Sequence, residues 1–520
     1  MTRAARKCQG LNETSMGCTR AEYPLLSNKG IRPTPGKSTM IQSALLKSAN
    51  GYIDGQWCGA DSNRTLPVIN PATGEIIALV PVMGRTETNR AIDAAARALA
   101  IPAAIEQRSE WLSRLAALIT QHRDELGRII THEHGKPLAE AKAEADYAAS
   151  FFRYYAGCVD HLKLKQLAER PRNHTWTVYY RPAGVAALIT PWNFPLAMLA
   201  KKLSAALAAD CCCVVKPSSK TPLSMIALFS LIEQIGLPTG KANLVLGPAG
   251  EITDALCEHP AVRVISFTGS TSVGKQLIAN TAPHLKRLAL ELGGNAPFIV
   301  FDDADVDRAV DQLLANKFRG AGQTCVCANR VYVQQGIADA FAEKLAARVN
   351  AIKMGNGMEA GVTMGPLIDR KAFDKVKRHV DDAISHGAVR VAGAAPIEPQ
   401  PNEGCFFPPT VLRGVTAQME CVHDETFGPL APIIEFQSET EVIEAANRTE
   451  YGLAAYIFTT SDERAARVIP RLSFGHVGHN TGSGPTAEAP FGGMKHSGFG
   501  REGGLEGLHD FIETQTVPRP

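Results

Sequence analysis

The chain has 520 residues, 45% hydrophobic and 20% charged, which is enough apolar material for large cores and enough length for roughly two to four domains. Its 54 Lys and Arg nearly cancel 52 Asp and Glu, giving a formal net charge of +2 with both signs dispersed, so nothing in the charge pattern favours nucleic acid or an anionic membrane as partner. Its 12 cysteines form no disulfide framework and fit a reducing, cytoplasmic compartment, and no apolar run reaches the roughly 18 residues that a membrane span needs.

Residues 1–42 read as a disordered extension. Positions 1–39 are polar, with seven Lys and Arg against Glu13 and Glu22, and are broken by Pro24, Pro33 and Pro35. A transit peptide is the alternative reading. From Gly51 the pattern predicts a hairpin, and Asn70-Pro71-Ala72-Thr73-Gly74 predicts a turn between apolar strands. Residues 86–99 and 108–130 have helical apolar spacing, including Trp111, Leu115, Leu126 and Ile129, with a stop near Gly135-Lys136-Pro137 and a third helix over 138–160. Strands at 184–190, 211–216, 242–246 and 263–267 then alternate with helices at 195–209, 222–235, 250–258 and 272–280, the pattern of βαβ units and a parallel sheet. A second alternating series has strands near 297–300, 329–334 and 452–458 and helices near 304–317, 337–351 and 371–386. Segments 173–182 and 508–517 are strand-like and lie outside both series.

Two residues carry the strongest chemical signal. Glu291, in Glu-Leu-Gly-Gly-Asn-Ala-Pro-Phe, and Cys325, in Gly-Ala-Gly-Gln-Thr-Cys-Val-Cys-Ala-Asn-Arg, are 34 positions apart, and both sit among glycines that admit close backbone approach. A thiolate is the best side-chain nucleophile, and a carboxylate that activates water can release the acyl group the sulfur picks up. A lone cysteine is more often a buried hydrophobe, and a lone Glu more often a surface charge. The segment Phe267 to Gln276 follows a strand and opens a helix, where free N–H groups and the helix dipole favour an anion. Gln276 stands where a P-loop needs Ser or Thr, which argues against nucleotide hydrolysis.

These segments, with Pro191-Trp192-Asn193-Phe194-Pro195, Lys216-Pro217-Ser218 and Glu425-Thr426-Phe427-Gly428-Pro429, resemble the aldehyde dehydrogenase superfamily from about residue 50 to the C-terminus. The resemblance implies an α/β fold with a Rossmann-type dinucleotide-binding domain over 43–165 and 186–291, a catalytic domain over 292–490, and a small β oligomerisation arm and C-terminal segment over 166–185 and 491–520. It implies a homodimer or homotetramer and NADP or NAD as cofactor, held by Trp192, Lys216, Ser219, Gly269, Ser270, Gly274, Glu425 and Phe427. Many NAD-selective relatives have Glu where Ser219 stands; a carboxylate there would repel a 2′-phosphate and a hydroxyl would not, so NADP is expected to be accepted. Cys325 is the implied nucleophile, Asn193 an oxyanion donor and Glu291 the base for thioester hydrolysis.

Stretches 291–307 and 317–333 resemble the succinate-semialdehyde dehydrogenases. That likeness implies a carboxylate-gripping role for Arg319 and an inactivating disulfide between Cys325 and Cys327. A second family Arg aligns here with His161, and a substrate-binding Ser aligns with Pro485, so His161, and Ser483 or His479 near Pro485, are the expected substitutes. The expected reaction is oxidation of succinate semialdehyde or a related ω-semialdehyde. Another anionic or aromatic aldehyde, or acyl transfer to CoA, is the alternative. No metal is expected, since His132-Glu133-His134 lacks the zinc-protease spacing.

Overall fold

The computed structural model describes residues 40–400 and 403–520, so the expectation of an extension over 1–39 lies outside the described residues. At 40–42 the chain already joins the body, with the Ile41 N–H donating to the Ile77 carbonyl at 3.2 Å. Two large sheets dominate. The first has eight strands in the order Gly498–Phe499, Arg287–Glu291, Val262–Thr268, Val185–Ile189, Cys212–Lys216, Ala242–Leu244, Gly51–Ile53, Gln56–Cys58. Its five inner strands, from Arg287–Glu291 to Ala242–Leu244, are parallel. They are apolar on both faces because helices cover both sides, as a parallel sheet requires. Cys211, Cys212 and Cys213 are fully buried there.

Chain order reverses between Val185–Ile189 and Val262–Thr268. This is the switch point at which ligands enter an open α/β sheet. The second sheet has seven strands, with Ala296–Val300 at its heart between Ala328–Gln334 and Ala454–Phe458, all parallel.

Three departures from the sequence reading have physical causes. The helix expected over 108–130 is two, Ile105–Gln121 and Arg123–His134, broken at His122 (φ −95°, ψ 15°). No Pro or Gly marks the break, and Leu115, Ile119, Leu126 and Ile130 all enter one core, so the apolar spacing runs straight through it. The strand Leu430–Phe436 of the second sheet was missed because Pro432, in its interior, argues against a central strand. The C-terminal strand is Ile512–Arg519, after a 3₁₀ turn over Glu506–Phe511, and pairs antiparallel with Thr175–Pro182 along its full length.

Candidate active site

The chemistry-bearing loops leave the carboxyl ends of both sheets and are knitted together by backbone. A Cβ at Gly322 would stand 2.2 Å from the Gly428 carbonyl oxygen, and one at Gly294 2.6 Å from that of Cys325, so only glycine lets these strands of chain close on one another. Asn329 Nδ2 donates to Asn295 Oδ1 at 2.8 Å, and its Oδ1 accepts the Thr426 N–H at 2.9 Å. Arg330, 1% exposed, donates to the carbonyls of Asn295, Ala445 and Ala446. Three motifs spread over more than a hundred residues of chain thus become one rigid unit around Cys325.

Glu291 ends its strand 3% exposed, and neither carboxylate oxygen has a hydrogen-bond partner among the described residues. Burial, then the nearby Glu502 carboxylate, pushes its pKa up to about 7, against the pull of Lys201 and Lys202. Burial and the Glu291 carboxylate raise the Cys325 thiol, with Lys201 opposing. An acid near neutrality beside a thiol reluctant to ionise is an arrangement suited to proton exchange. Asn193, 5% exposed, donates from Nδ2 to the Gln323 carbonyl at 3.1 Å, which uses one of its two amide hydrogens, and its Oδ1 is unpartnered.

Cys325 borders two cavities. One is a cleft of about 870 Å³ whose wall includes Trp192, Asn193, Gly269, Ser270, Gly293, Glu425 and Phe427. Ser270 caps the helix Thr271–Thr281, so free N–H groups face this space. Trp192 and Phe427 meet edge to face at 5.6 Å, with Phe427 in a left-handed conformation (φ 54°). Glu425 accepts the Gly294 N–H at 3.0 Å through Oε1, and Oε2 has no hydrogen bond among the described residues. Thr268 Oγ1, on the same wall, is buried without a hydrogen-bond partner among the described residues. An anion site, an aromatic pair and uncommitted oxygen atoms in a cleft of ligand size fit a nicotinamide dinucleotide.

Three expected cofactor residues lie outside that wall. Gly274 serves packing, since a Cβ there would be 2.7 Å from Leu292 side-chain carbons. Ser219 donates to the Gly247 carbonyl at 2.7 Å. Lys216, at a strand's carboxyl end as expected, is 3% exposed and donates to the Pro217 carbonyl at 2.7 Å, and burial alone pushes its pKa down to about 8.

The other cavity, about 280 Å³, is mainly apolar, with Tyr147, Phe194, Met198 and Phe491 in its wall. Arg319 lines it, with its guanidinium 5.3 Å from the Phe194 ring centre and no ion pair among the described residues. His161 does not reach it. That residue is exposed on the 3₁₀ turn Val159–Leu162, beyond the end of the helix that reaches the pocket. The second cation is Lys201, 2% exposed, from the helix Pro195–Ala208. Ser483 is exposed, accepts from Thr481 Oγ1 at 2.8 Å and stays outside, while its neighbours Gly484 and Pro485 form the wall. Cys327 is buried against the Lys317 carbonyl (Sγ to O 3.7 Å) and borders neither cavity.

The family model for the aldehyde dehydrogenase family matches residues 57–517. The chain belongs to the aldehyde dehydrogenase family. It is 48% identical over 475 residues to the glutarate-semialdehyde dehydrogenase of Pseudomonas putida KT2440, covering 91% of this chain and 98% of that one. It is 48% identical over 463 residues to the NADP(+) succinate-semialdehyde dehydrogenase GabD of Escherichia coli K12, covering 89% and 95%. The crystal structure of an oxidoreductase from Marinobacter aquaeolei superposes with a TM-score of 0.91 at 56% identity, covering 92% of this chain and all of that one.

Within this aldehyde dehydrogenase, two buried ion pairs flank the reactive residues and escaped the sequence reading. Lys136 Nζ donates to Glu144 Oε2 at 2.6 Å and to the Asn193 carbonyl at 2.8 Å, and lies 3.8 Å from the Phe194 ring centre. Glu144 Oε1 accepts the N–H groups of Leu196 and Ala197. The pair therefore pins the turn carrying Asn193. Glu502, bonded to Lys202 with Lys201 at 3.6 Å, supplies the charge felt by Glu291. The only hint in the sequence was a doubled lysine inside an apolar helix, Lys201-Lys202.

Proposed function

We propose that this oxidoreductase oxidises an aldehyde carrying a terminal acid, of the succinate- or glutarate-semialdehyde kind, to the dicarboxylic acid, with NADP accepted as well as NAD. The observation that carries the reading is that Cys325 forms a shared wall between an 870 Å³ cleft suited to a dinucleotide and a 280 Å³ pocket edged by Arg319 and Lys201. A planar guanidinium binds both oxygens of a carboxylate and would draw its far end away from the sulfur.

In this reading Glu291 relieves the Cys325 thiol of its proton and the sulfur adds to the aldehyde carbonyl. The free amide hydrogen of Asn193 and the Cys325 N–H hold the resulting thiohemiacetal oxygen. The nicotinamide, when bound, supplies the hydride acceptor. Trp192, Lys216, Gly269, Ser270, Glu425 and Phe427 would hold the dinucleotide, and Ser219, lacking a carboxylate, leaves room for a 2′-phosphate. Once Glu291 has passed the thiol proton to solvent, it takes another from the water that cleaves the thioester, and the acid departs as the Cys325 sulfur is released. The first sheet and its helices form the dinucleotide-binding unit and the second sheet the catalytic one. The exposed arm, Thr175–Pro182 with Ile512–Arg519, supports a homo-oligomer, and the ten cysteines among the described residues, all free, support residence in the cytoplasm. Oxidation closing Cys325 to Cys327 would silence the enzyme reversibly.

A panel of aldehydes of one chain length, with and without a terminal acid, tests the assignment. The acid-bearing member should show kcat/KM higher by about 10²-fold, as expected for a charge-assisted bidentate contact. Equal rates would remove Arg319 from the substrate.

A further inference from the structure

The small pocket holds a polar group that the reaction above leaves unused. Tyr147, on the helix Leu138–Cys158, lines the cavity, and its hydroxyl is shut away from solvent, with the Lys201 ammonium facing its oxygen and no acceptor for its proton among the described residues. Buried polar atoms are nearly always satisfied, so an orphan on a ligand wall calls for a partner brought by the ligand. Its ring is held edge-on to Phe151 at 5.0 Å, which fixes where the hydroxyl sits.

The pocket itself defines what that partner must be. Burial raises the phenol's pKa, so it stays a neutral O–H, and the Lys201 ammonium lies 5.8 Å from the ring centre. An ammonium so close draws the oxygen lone pairs and leaves the proton to point elsewhere. Neither pocket carboxylate bonds that proton: Glu144 is committed to Lys136, Leu196 and Ala197, and Glu140 to the Gly320 N–H at 2.8 Å. Lys201 pairs with Glu502 at 3.6 Å and faces the Tyr147 oxygen, which leaves one of its three donors for a ligand. A hydroxyl without an acceptor beside an ammonium with a donor left forms a site for an oxyanion.

We propose that Tyr147 is a substrate-binding residue which, backed by Lys201, donates to one oxygen of the substrate's terminal oxyanion while Arg319 holds the others. This rests on the reading of Arg319 given above and extends it to a second anchor. The oxyanion is either a planar carboxylate or a tetrahedral sulfonate, and three donors suit both.

The test is kcat/KM of Tyr147→Phe and, separately, Arg319→Met, with three aldehydes of equal length ending in a carboxylate, a sulfonate or a methyl group. Tyr147→Phe removes one oxygen and keeps the ring, so the methyl-ended aldehyde reports any general damage. The expected result is a loss of about tenfold with at least one anionic aldehyde, mostly in KM, and a change under about twofold with the neutral one. The anion that loses more is the better match to the site. Equal loss with all three would assign Tyr147 to packing and overturn the proposal, as would no loss with either anion. If Arg319→Met erases the preference for anions while Tyr147→Phe preserves it, the second anchor falls and the semialdehyde reading stands; if neither variant alters the preference, both fall.

Discussion

The two cavities that meet at Cys325 are built from different materials. The dinucleotide-sized cleft is walled largely by short runs of consecutive residues, Pro191–Asn193, Thr268–Ser270 and Glu425–Phe427, set at strand ends and a helix N-terminus. The small pocket is walled by separate side chains projecting from helices and loops, among them Tyr147, Met198, Lys201, Arg319, Pro485 and Phe491. Main-chain recognition survives most substitutions, whereas a wall of side chains changes chemistry with each one. The cleft is thus defined by local chain geometry, and the pocket by individual side chains.

The sharpest way to separate the two is to remove the atom they share. Cys325→Ala should lose dehydrogenase activity by at least about 10⁴-fold, as nucleophile removal does elsewhere, while binding of NADP, followed by fluorescence titration, stays within a few-fold. Loss of nucleotide binding as well would mean that the cleft depends on the pocket. Glu291→Gln belongs to the same test. It should release one reduced nucleotide per site, more slowly than the native enzyme because the Cys325 thiol has lost its base, and then stall; normal steady turnover would remove Glu291 from hydrolysis.

Lys136 tests the wall between the cavities, because its partner Glu144 lines the pocket while the turn it holds carries Asn193 into the cleft. Lys136→Met leaves a buried carboxylate unpaired and should cost about 3–5 kcal/mol in urea unfolding. Adding Glu144→Leu should restore much of that stability. It should leave kcat depressed, since the Asn193 carbonyl still lacks its donor; recovery of both together would reduce the pair to a purely structural role.

A smaller effect is expected at the edge of the cleft. Ser219→Glu should lower kcat/KM for NADP relative to NAD by about tenfold through repulsion of the 2′-phosphate. An unchanged ratio would place the adenosine ribose elsewhere, consistent with Ser219 facing the Gly247 carbonyl.

The same contrast decides what could be read from the sequence. Alternation of strands and helices announced the parallel sheets, and contiguous motifs announced the cleft, because backbone geometry imposes glycines and caps at fixed spacing. Trp192, Ser270, Glu425 and Phe427 were legible for that reason. The pocket was not. Lys201 lies eight residues beyond Asn193 in a helix buried on every side, and nothing in a one-dimensional pattern says which face turns toward the substrate. The family resemblance points to His161 as the second cation, but the helix ends at Cys158 and leaves His161 exposed on the turn that follows. Lys136 and Glu144 were invisible as a pair because eight residues and a helix start separate them.

The finest prediction concerns pH, where the two regions should titrate from opposite sides. Glu291 must be ionised to take a proton from water, and burial together with Glu502 pushes its pKa up to about 7. Where hydrolysis limits turnover, kcat should therefore fall as pH drops through about 7, because the protonated acid accepts nothing. Glu502 keeps its charge despite burial because Lys202 and Lys201 hold its pKa down. Glu502→Gln deletes that negative neighbour and leaves both lysines acting on Glu291, so the acid limb should move to lower pH; a limb that stays put would uncouple the two carboxylates. Lys216 lies outside the cleft wall, but burial lowers its pKa to about 8, and in the proposed role a neutral amine attracts an anionic dinucleotide less. KM for the dinucleotide should then rise above pH 8 while kcat, set by Glu291, stays level, so the alkaline limit belongs to the cleft and the acid limit to the acyl-enzyme.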